Sequence, residues 1–203
     1  IHGGVMGIKE YFKNPTEHES NIDFYINAVS EGVEKAVDIV SALNHFSRSR
    51  NLTSDKVNIH AIIEDCLIVL KYLTINRIEI IKKFTSLPFT LVGNEGNLNQ
   101  ALFNIILNSV QAIKDQGSII ISTEIEENRI KICVEDTGSG ISEENLSKIL
   151  DPFFTTKEPG KGTGLGLSIT YNILKEHNGT IDFESKPSEG TKAIIKLPIN
   201  ISE

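Results

Sequence analysis

Two periodicities share this chain, and the place where one gives way to the other constrains the fold more than any single residue. Ile22, Ile26, Val29, Val33, Ala36, Val40 and Leu43 recur alternately four and three positions apart, the spacing of a heptad seam. A shorter row, Ile1, Val5, Ile8 and Phe12, precedes it across the helix-breaking stretch NPTEHES at 14–20. The pattern predicts a helical hairpin over residues 1–52. Ala28, Val37 and Phe46 widen the stripe beyond what one short partner helix covers. Two hairpins packed as a four-helix bundle would cover it, so a homodimer through residues 1–50 is expected. A hairpin packed on its own domain is the alternative.

From about Asn51 the heptad stops, and residues 53–203 read as a second domain. Val57 to Thr74 and Asn97 to Lys114 have helical apolar spacing, and Gly164 to His177 also reads as helix. Arg77 to Phe84 reads as a strand. Ser118 to Ile125 and Arg129 to Glu135, joined by a turn at Glu126, Glu127 and Asn128, read as a hairpin. Thr180 to Ser185 and Thr191 to Leu197 close the chain as another strand pair. Helices and strands mix without regular alternation. The class is therefore α+β, a mixed sheet with helices on one face.

Composition sets the outer bounds. The 203 residues are 39% hydrophobic and 23% charged, with a net charge of -7. No apolar run approaches the roughly 18 residues of a membrane span, and no signal peptide is recognisable. A cytoplasmic location without membrane contact is expected, and Ile1 in place of an initiator Met reads as the start of a segment of something longer. An acidic chain without a basic, aromatic-studded patch argues against nucleic-acid binding. Cys66 and Cys133 each sit in an apolar stretch and are expected as buried free thiols.

Three short stretches carry chemistry. In GKGTGLG (160–166) the spacing fails the Walker pattern, because Gly162 follows Lys161, and fails the Rossmann turn as well. What remains is a glycine-rich loop running into a helix, whose free N–H groups can hold phosphate oxygens; a plain surface loop is the alternative. In VEDTGSGI (134–141) a strand delivers Asp136 to a turn made by Gly138 and Gly140. That carboxylate can accept from an exocyclic amine such as adenine's, although an ordinary Asx turn would look similar. The aspartic protease triplet Asp-Thr-Gly is also present, but once only, and a protease needs two. In NQALFNIILNSVQAI (99–113), Asn104 and Asn108 stand four apart on one face of an apolar helix. Their amides suit Mg²⁺ when phosphates complete its octahedron, or hydrogen bonds from helix to loop.

In this order, with FFTTK between the second and third stretch, the motifs resemble the N, G1, F and G2 boxes of the histidine-kinase ATP-binding domain. They are more loosely similar to the gyrase B and MutL-type ATPases. EHNGTIDFES and GTKAIIKLP resemble that family's closing strands, and the N-terminal hairpin resembles its dimerisation and phosphotransfer helices. The resemblance implies a Bergerat-type fold and ATP with Mg²⁺ as ligands. It implies Asn108 as the Mg²⁺ ligand, Asn104 near the phosphates, and Asp136 as the adenine-amine acceptor with Thr191 beside it. Ala112, Gly138, Gly140, Ile141 and Leu167 are implied as further pocket residues. Phe153, Phe154 and Lys157 fall in a mobile lid, and Gly162, Thr163, Gly164, Leu165 and Gly166 line the triphosphate.

The family's phosphoacceptor motif is not matched at the N-terminus. IHGGVMGIKEY offers His2, but without the acidic residue and Asn-Pro that follow the acceptor in relatives. Aligning Val5 and Gly7 with the end of the motif puts the acceptor upstream of Ile1; His2 itself, or no acceptor, are the other readings. His45 and His60 are expected to be structural, His18 solvated, and His177 a helix C-terminal residue favoured by the dipole. The activity implied is phosphoryl transfer from Mg·ATP to a histidine and then to an aspartate of a response-regulator receiver domain. A nucleotide-binding and dimerisation module without kinase activity is the alternative, with an ATP-driven clamp of the gyrase or MutL type a more distant one.

Overall fold

The computed structural model describes residues 55–157 and 162–200, together with Met6, Tyr25, Ile26 and Val29, which are helical. The remainder of the expected hairpin, with His2, His18 and His45, lies outside the described residues. The chain divides into two compact units, one of Ile1–Arg48 with Phe153–Leu165 and one of Ser49–Pro152 with Gly166–Glu203.

The larger unit is built on a five-stranded sheet. Its strands are β2 (Ile78–Lys83), β4 (Gly117–Glu126), β5 (Arg129–Asp136), β6 (Thr180–Lys186) and β7 (Gly190–Pro198), in the spatial order β2-β4-β5-β7-β6. Only β2 and β4 run parallel; the other pairs are antiparallel. A second, two-stranded sheet joins β1 (Asp55–Val57) to β3 (Leu91–Gly93). The helices are α1 (Ile59–Thr74), α2 (Glu95–Ala112), the single turn α3 (Glu143–Leu146) and α4 (Gly166–Glu176).

Alternation along the strands sends Ile119 and Ile121 of β4, Ile130, Ile132 and Val134 of β5, and Ile195 and Leu197 of β7 into the core, each fully or almost fully buried. Ile62, Ile63 and Cys66 of α1, Leu102, Ile105 and Ile106 of α2, and Ile173 of α4 meet them. The opposite sheet face carries charges in register. Glu126, for example, accepts from Lys131 Nζ at 2.7 Å and from Lys196 Nζ at 2.8 Å. One face is packed against the helices and the other carries ion pairs.

Differences from the sequence expectation lie at the edges. Val57 belongs to β1, because it pairs with Leu91 while Asn58 caps α1 by accepting from Ala61 N–H at 3.2 Å. The expected three-residue turn after β4 has two residues: Glu126 stays in the ladder opposite Arg129, and Glu127 takes φ 54. Helix α4 starts at Gly166 rather than Gly164, whose φ of 67 is not helical. Both cysteines are free and buried, and burial pushes the Cys66 thiol up to about 11. His60 is structural, stacked on Phe84 at 4.6 Å and bonded through Nε2 to the Thr123 hydroxyl at 2.9 Å.

His177 is held in a way the dipole argument did not foresee. Its ring is buried, with Nε2 accepting the Asn94 N–H at 2.9 Å, so the ring proton sits on Nδ1 and donates to the Ile173 carbonyl at 2.7 Å. Asn94 is the N-cap of α2. At the other end of this antiparallel helix pair, Asn104 Nδ2 donates to the Gly166 carbonyl at 3.1 Å. Helices α2 and α4 are thus fastened at both ends.

Candidate functional site

Helix α2 organises the site. Over its second half, Asn104, Asn108, Ser109 and Ala112 follow one another along about 12 Å at the helical rise. Each meets a different part of the surroundings.

At the C-terminal end, strand β5 delivers Asp136, which is 4% exposed. Its Oδ1 accepts from Gly138 N–H at 2.8 Å and from Thr191 N–H at 3.3 Å. The Ser109 hydroxyl donates to the same carboxylate. Burial raises the carboxyl above its ordinary range; the Gly138, Ser109 and Thr191 donors pull the other way, and neighbouring Glu135 adds to the rise. Among the described residues no lysine or arginine pairs with Asp136. The group is therefore a buried acceptor fixed by three neutral donors, with charge left uncompensated.

The turn after Asp136 folds onto α2. Ser139 N–H donates to the Ala112 carbonyl at 3.1 Å. Gly138 lies so close that a Cβ there would come within 2.7 Å of Ala112 Cβ and 2.8 Å of the Ala112 carbonyl oxygen. Gly140 has φ 66, and a side chain there would run into the Lys186 carbonyl. Ile141 N–H then donates to Ser185 Oγ at 2.8 Å; the Ser185 hydroxyl donates to the Gly190 carbonyl at 2.7 Å and meets the Thr191 hydroxyl at 2.8 Å.

One turn earlier the polar groups are fewer and less engaged. Asn104 is committed to α4: besides Gly166, its Nδ2 approaches Thr170 Oγ1 at 3.5 Å, while the fully buried Thr170 hydroxyl donates to the same Gly166 carbonyl at 2.9 Å. Asn108 is partly exposed, and among the described residues no hydrogen bond engages its side chain. Gly166 opens α4, and a Cβ there would meet only Asn104, at 3.7 Å or more, an ordinary contact. Its glycine is not demanded by packing. Leu167 follows it, half-buried.

The remaining sequence candidates, Phe154, Lys157, Gly162, Thr163, Gly164 and Leu165, belong to the other compact unit. There Phe153 and Gly164 both adopt left-handed backbone, with φ 68 and 67, and Phe153 N–H donates to the Gly164 carbonyl at 2.9 Å. Residues 158–161 of the expected lid lie outside the described residues.

Sequence reasoning missed Ser109, Ser185 and Thr170, small hydroxyls whose role depends on contacts across the fold. For Ser109 a signal existed: a polar residue buried next to Asn108 on an otherwise apolar helix needs a partner. A cavity of about 400 Å³ bordered by Lys56, His60, Leu87 and Phe89 lies elsewhere and shares no residue with this site.

A buried carboxylate with no cation partner, an amide with no hydrogen bond, both among the described residues, and a glycine that packing does not require leave this part of the fold free to engage a ligand. Residues 93–201, more than half of the chain, match the model of the histidine kinase-, DNA gyrase B- and HSP90-like ATPases. The chain belongs to that family. It is 32% identical over 202 residues to the signal transduction histidine-protein kinase AtoS of Escherichia coli (strain K12), covering 98% of this chain and 32% of AtoS. It is 31% identical over 199 residues to the sensor histidine kinase ZraS of Klebsiella oxytoca, covering 97% of this chain and 42% of ZraS. It thus spans 32% of AtoS and 42% of ZraS, less than half of either relative. The solved histidine kinase ThkA in complex with response regulator protein TrrA has a similar fold, with a TM-score of 0.72 at 24% identity, covering 97% of this chain and 56% of that one. The five-stranded mixed sheet packed against helices is the ATP-binding fold of these kinases, and the family's ATP-binding domain is present here. Among the described residues no helix is long and apolar enough to cross a membrane.

Proposed function

We propose that this chain is the catalytic core of a two-component sensor kinase, binding Mg·ATP and passing its γ-phosphoryl group to a histidine of the helical hairpin, then to an aspartate of a response regulator. The observation that carries the reading is Asp136, a buried carboxylate with three neutral donors and, among the described residues, no cation partner. In this reading Asp136 accepts from the adenine amine, and Thr191, Ser109 and Gly138 hold it at the angle the amine needs. Ala112, Gly140 and Ile141 shape the pocket around the ring. Asn104 holds the start of α4 through the Gly166 carbonyl, so that Gly166 and Leu167 present backbone to the phosphates, and Asn108 offers its amide oxygen to Mg²⁺. The ion, when bound, supplies neutralisation of phosphate charge. On the strength of the sequence resemblance, Phe154, Lys157, Gly162, Thr163, Gly164 and Leu165 belong to the lid that contacts the phosphate chain.

In the transfer, the bond from the γ-phosphorus to the bridging oxygen breaks as an imidazole nitrogen of the acceptor bonds to phosphorus, and ADP leaves. The acceptor histidine is expected upstream of Ile1, and a homodimer through residues 1–50 is part of the same reading. That a structurally similar histidine kinase was crystallised with a response regulator supports the receiver-domain partner. The decisive measurement is calorimetry with ATP and with inosine triphosphate, which has an oxo group where ATP has the amine. A preference for ATP of about tenfold or more is expected. Equal affinities would overturn the assignment of Asp136.

A further inference from the structure

Arg77 stands outside every motif, between α1 and β2, yet its side chain binds backbone carbonyls at and just beyond the C-terminal end of the site-forming helix. The last carbonyls of α2 lack partners within the helix, and its last turn has no basic residue of its own. Arg77 supplies what is missing. Its Nη2 donates to the Val110 carbonyl at 3.2 Å, and Nη1 donates to the carbonyls of Ile113 and, at 3.1 Å, Lys114. Its Nε donates to the Leu73 carbonyl of α1 at 3.0 Å. No carboxylate among the described residues forms a salt bridge with it. The charge faces the negative ends of two helices.

The turn held in this way is the one on which the base pocket rests. The Ala112 carbonyl, between the Arg77 acceptors, takes the Ser139 N–H. Gly138 packs on the same Ala112 backbone while donating to Asp136 Oδ1. Ser109, in the same stretch of helix, donates to Asp136 as well. A shift of this turn therefore moves the floor of the pocket and two of the three donors of the carboxylate together. Only a planar fork with several fixed donors reaches carbonyls of both helices; a lysine offers a point charge and could satisfy one or two.

We infer that Arg77 is a positioning residue of the nucleotide site: it fixes the C-terminal turn of α2 and, through Ala112 and Ser109, holds the 138–140 loop and the Asp136 carboxylate in the geometry that receives the base. This rests on the reading of the Asp136 pocket as the adenine site. The test uses Arg77→Lys and Arg77→Met in the full chain, with Arg77→Lys expected to keep the fold. Without nucleotide, the Gly138 and Ser139 amides should exchange about tenfold faster in Arg77→Lys, while the amides of the β6–β7 ladder keep the parent's rates. ATP affinity should fall about tenfold and inosine triphosphate affinity less, so the preference narrows. A role in stability alone would lower the melting temperature and leave the preference untouched. Unchanged exchange at 138 and 139 in folded Arg77→Lys overturns the inference, and so does faster exchange with the parent's ATP preference intact. Should the parent itself show no preference for ATP, the base assignment fails, and the exchange result alone decides whether Arg77 holds the loop.

Discussion

The last turn of α2 and the turn before it differ in what holds them. Around the last turn, Arg77 binds the Val110 carbonyl, Ser139 binds the Ala112 carbonyl, and the Asp136 carboxylate is fixed by three donors. Around Asn108 and Gly166 the protein has committed much less: one amide has no hydrogen bond among the described residues, and one glycine has room for a side chain. A base is a rigid plane with fixed donors and acceptors, so a preformed pocket recognises it at low entropic cost. A metal-bound phosphate chain brings its own charge and geometry. Under the proposed binding mode the protein would gain little by arranging that end in advance, and a group pre-paired there would have to be released before the ligand could bind.

Glycines at the two ends break this comparison most sharply, because the expected effects have opposite signs. Gly138→Val puts a branched side chain where even a Cβ would come within 2.7 Å of Ala112 Cβ. A loss of about 3 kcal/mol of stability is expected, with ATP binding lost as well. Gly166→Ala meets only an ordinary contact, so the fold should hold or gain a few tenths of a kcal/mol from better helix propensity, while triphosphate binding weakens. Chemical denaturation with calorimetry separates the two. A destabilised Gly166→Ala would mean that packing, and not the ligand, requires that glycine.

Asp136→Asn comes next. The amide oxygen can still accept from Gly138 and Thr191, so the fold should survive, but the new NH₂ faces the adenine amine donor to donor. ATP affinity should fall about tenfold. If a folded variant binds ATP like the parent, the last turn of α2 is a structural cap and no base site.

The same contrast explains how much could be read from the sequence. Long helices and strands were legible because their apolar residues repeat: α2 and β5 were placed within a few residues. Strands β1 and β3, of three residues each, were not, since so short a run shows no period and exists only by pairing Val57 with Leu91. In the site, Asp136, Gly138 and Gly140 were legible through local turn chemistry, and Gly140 does take the positive φ that a glycine allows. Arg77, Ser109 and Ser185 were not. Each acts across the fold on a backbone group or side chain that periodicity does not bring near it. His177 was read locally, by the dipole at its own helix end, and was in fact settled by the Asn94 N–H of another helix.

A smaller effect sharpens the comparison within α2 itself. Asn104→Ala removes a donor from the Gly166 carbonyl and should cost about 1 kcal/mol of stability. Asn108→Ala removes no hydrogen bond among the described residues and should leave stability within about 0.5 kcal/mol of the parent. Its effect should show instead in the dependence of ATP binding on Mg²⁺, measured by titrating the ion at fixed nucleotide. A stability loss in Asn108→Ala as large as in Asn104→Ala would mean that both asparagines are structural.

The smallest effect near neutral pH is a proton effect, and its sign separates the pocket from the open face of the sheet. Burial raises the Asp136 carboxyl above the ordinary 3.8, so the folded protein holds that proton more tightly than the unfolded chain does. Its contribution to stability is then most favourable at low pH and declines as pH rises through the interval between the two values. Glu126 is the reverse case. Hydrogen bonds from Lys131 and Lys196 lower it from 4.5 to about 2, so its contribution is complete above 4.5 and is lost as pH falls towards 2. For ligand binding the sign at Asp136 changes again, because a protonated carboxyl has less acceptor capacity and turns a donor towards the adenine amine. ATP affinity should therefore fall on acidification at a pH where the Glu126 pair is still intact. Measured from pH 7.5 down to 4.5, the parent should lose ATP affinity more steeply than Asp136→Asn, which has no proton to gain there and so serves as a control for the titration of ATP itself. Parallel pH profiles for the two proteins would show that Asp136 does not sense the nucleotide, and would leave its burial without a functional reason.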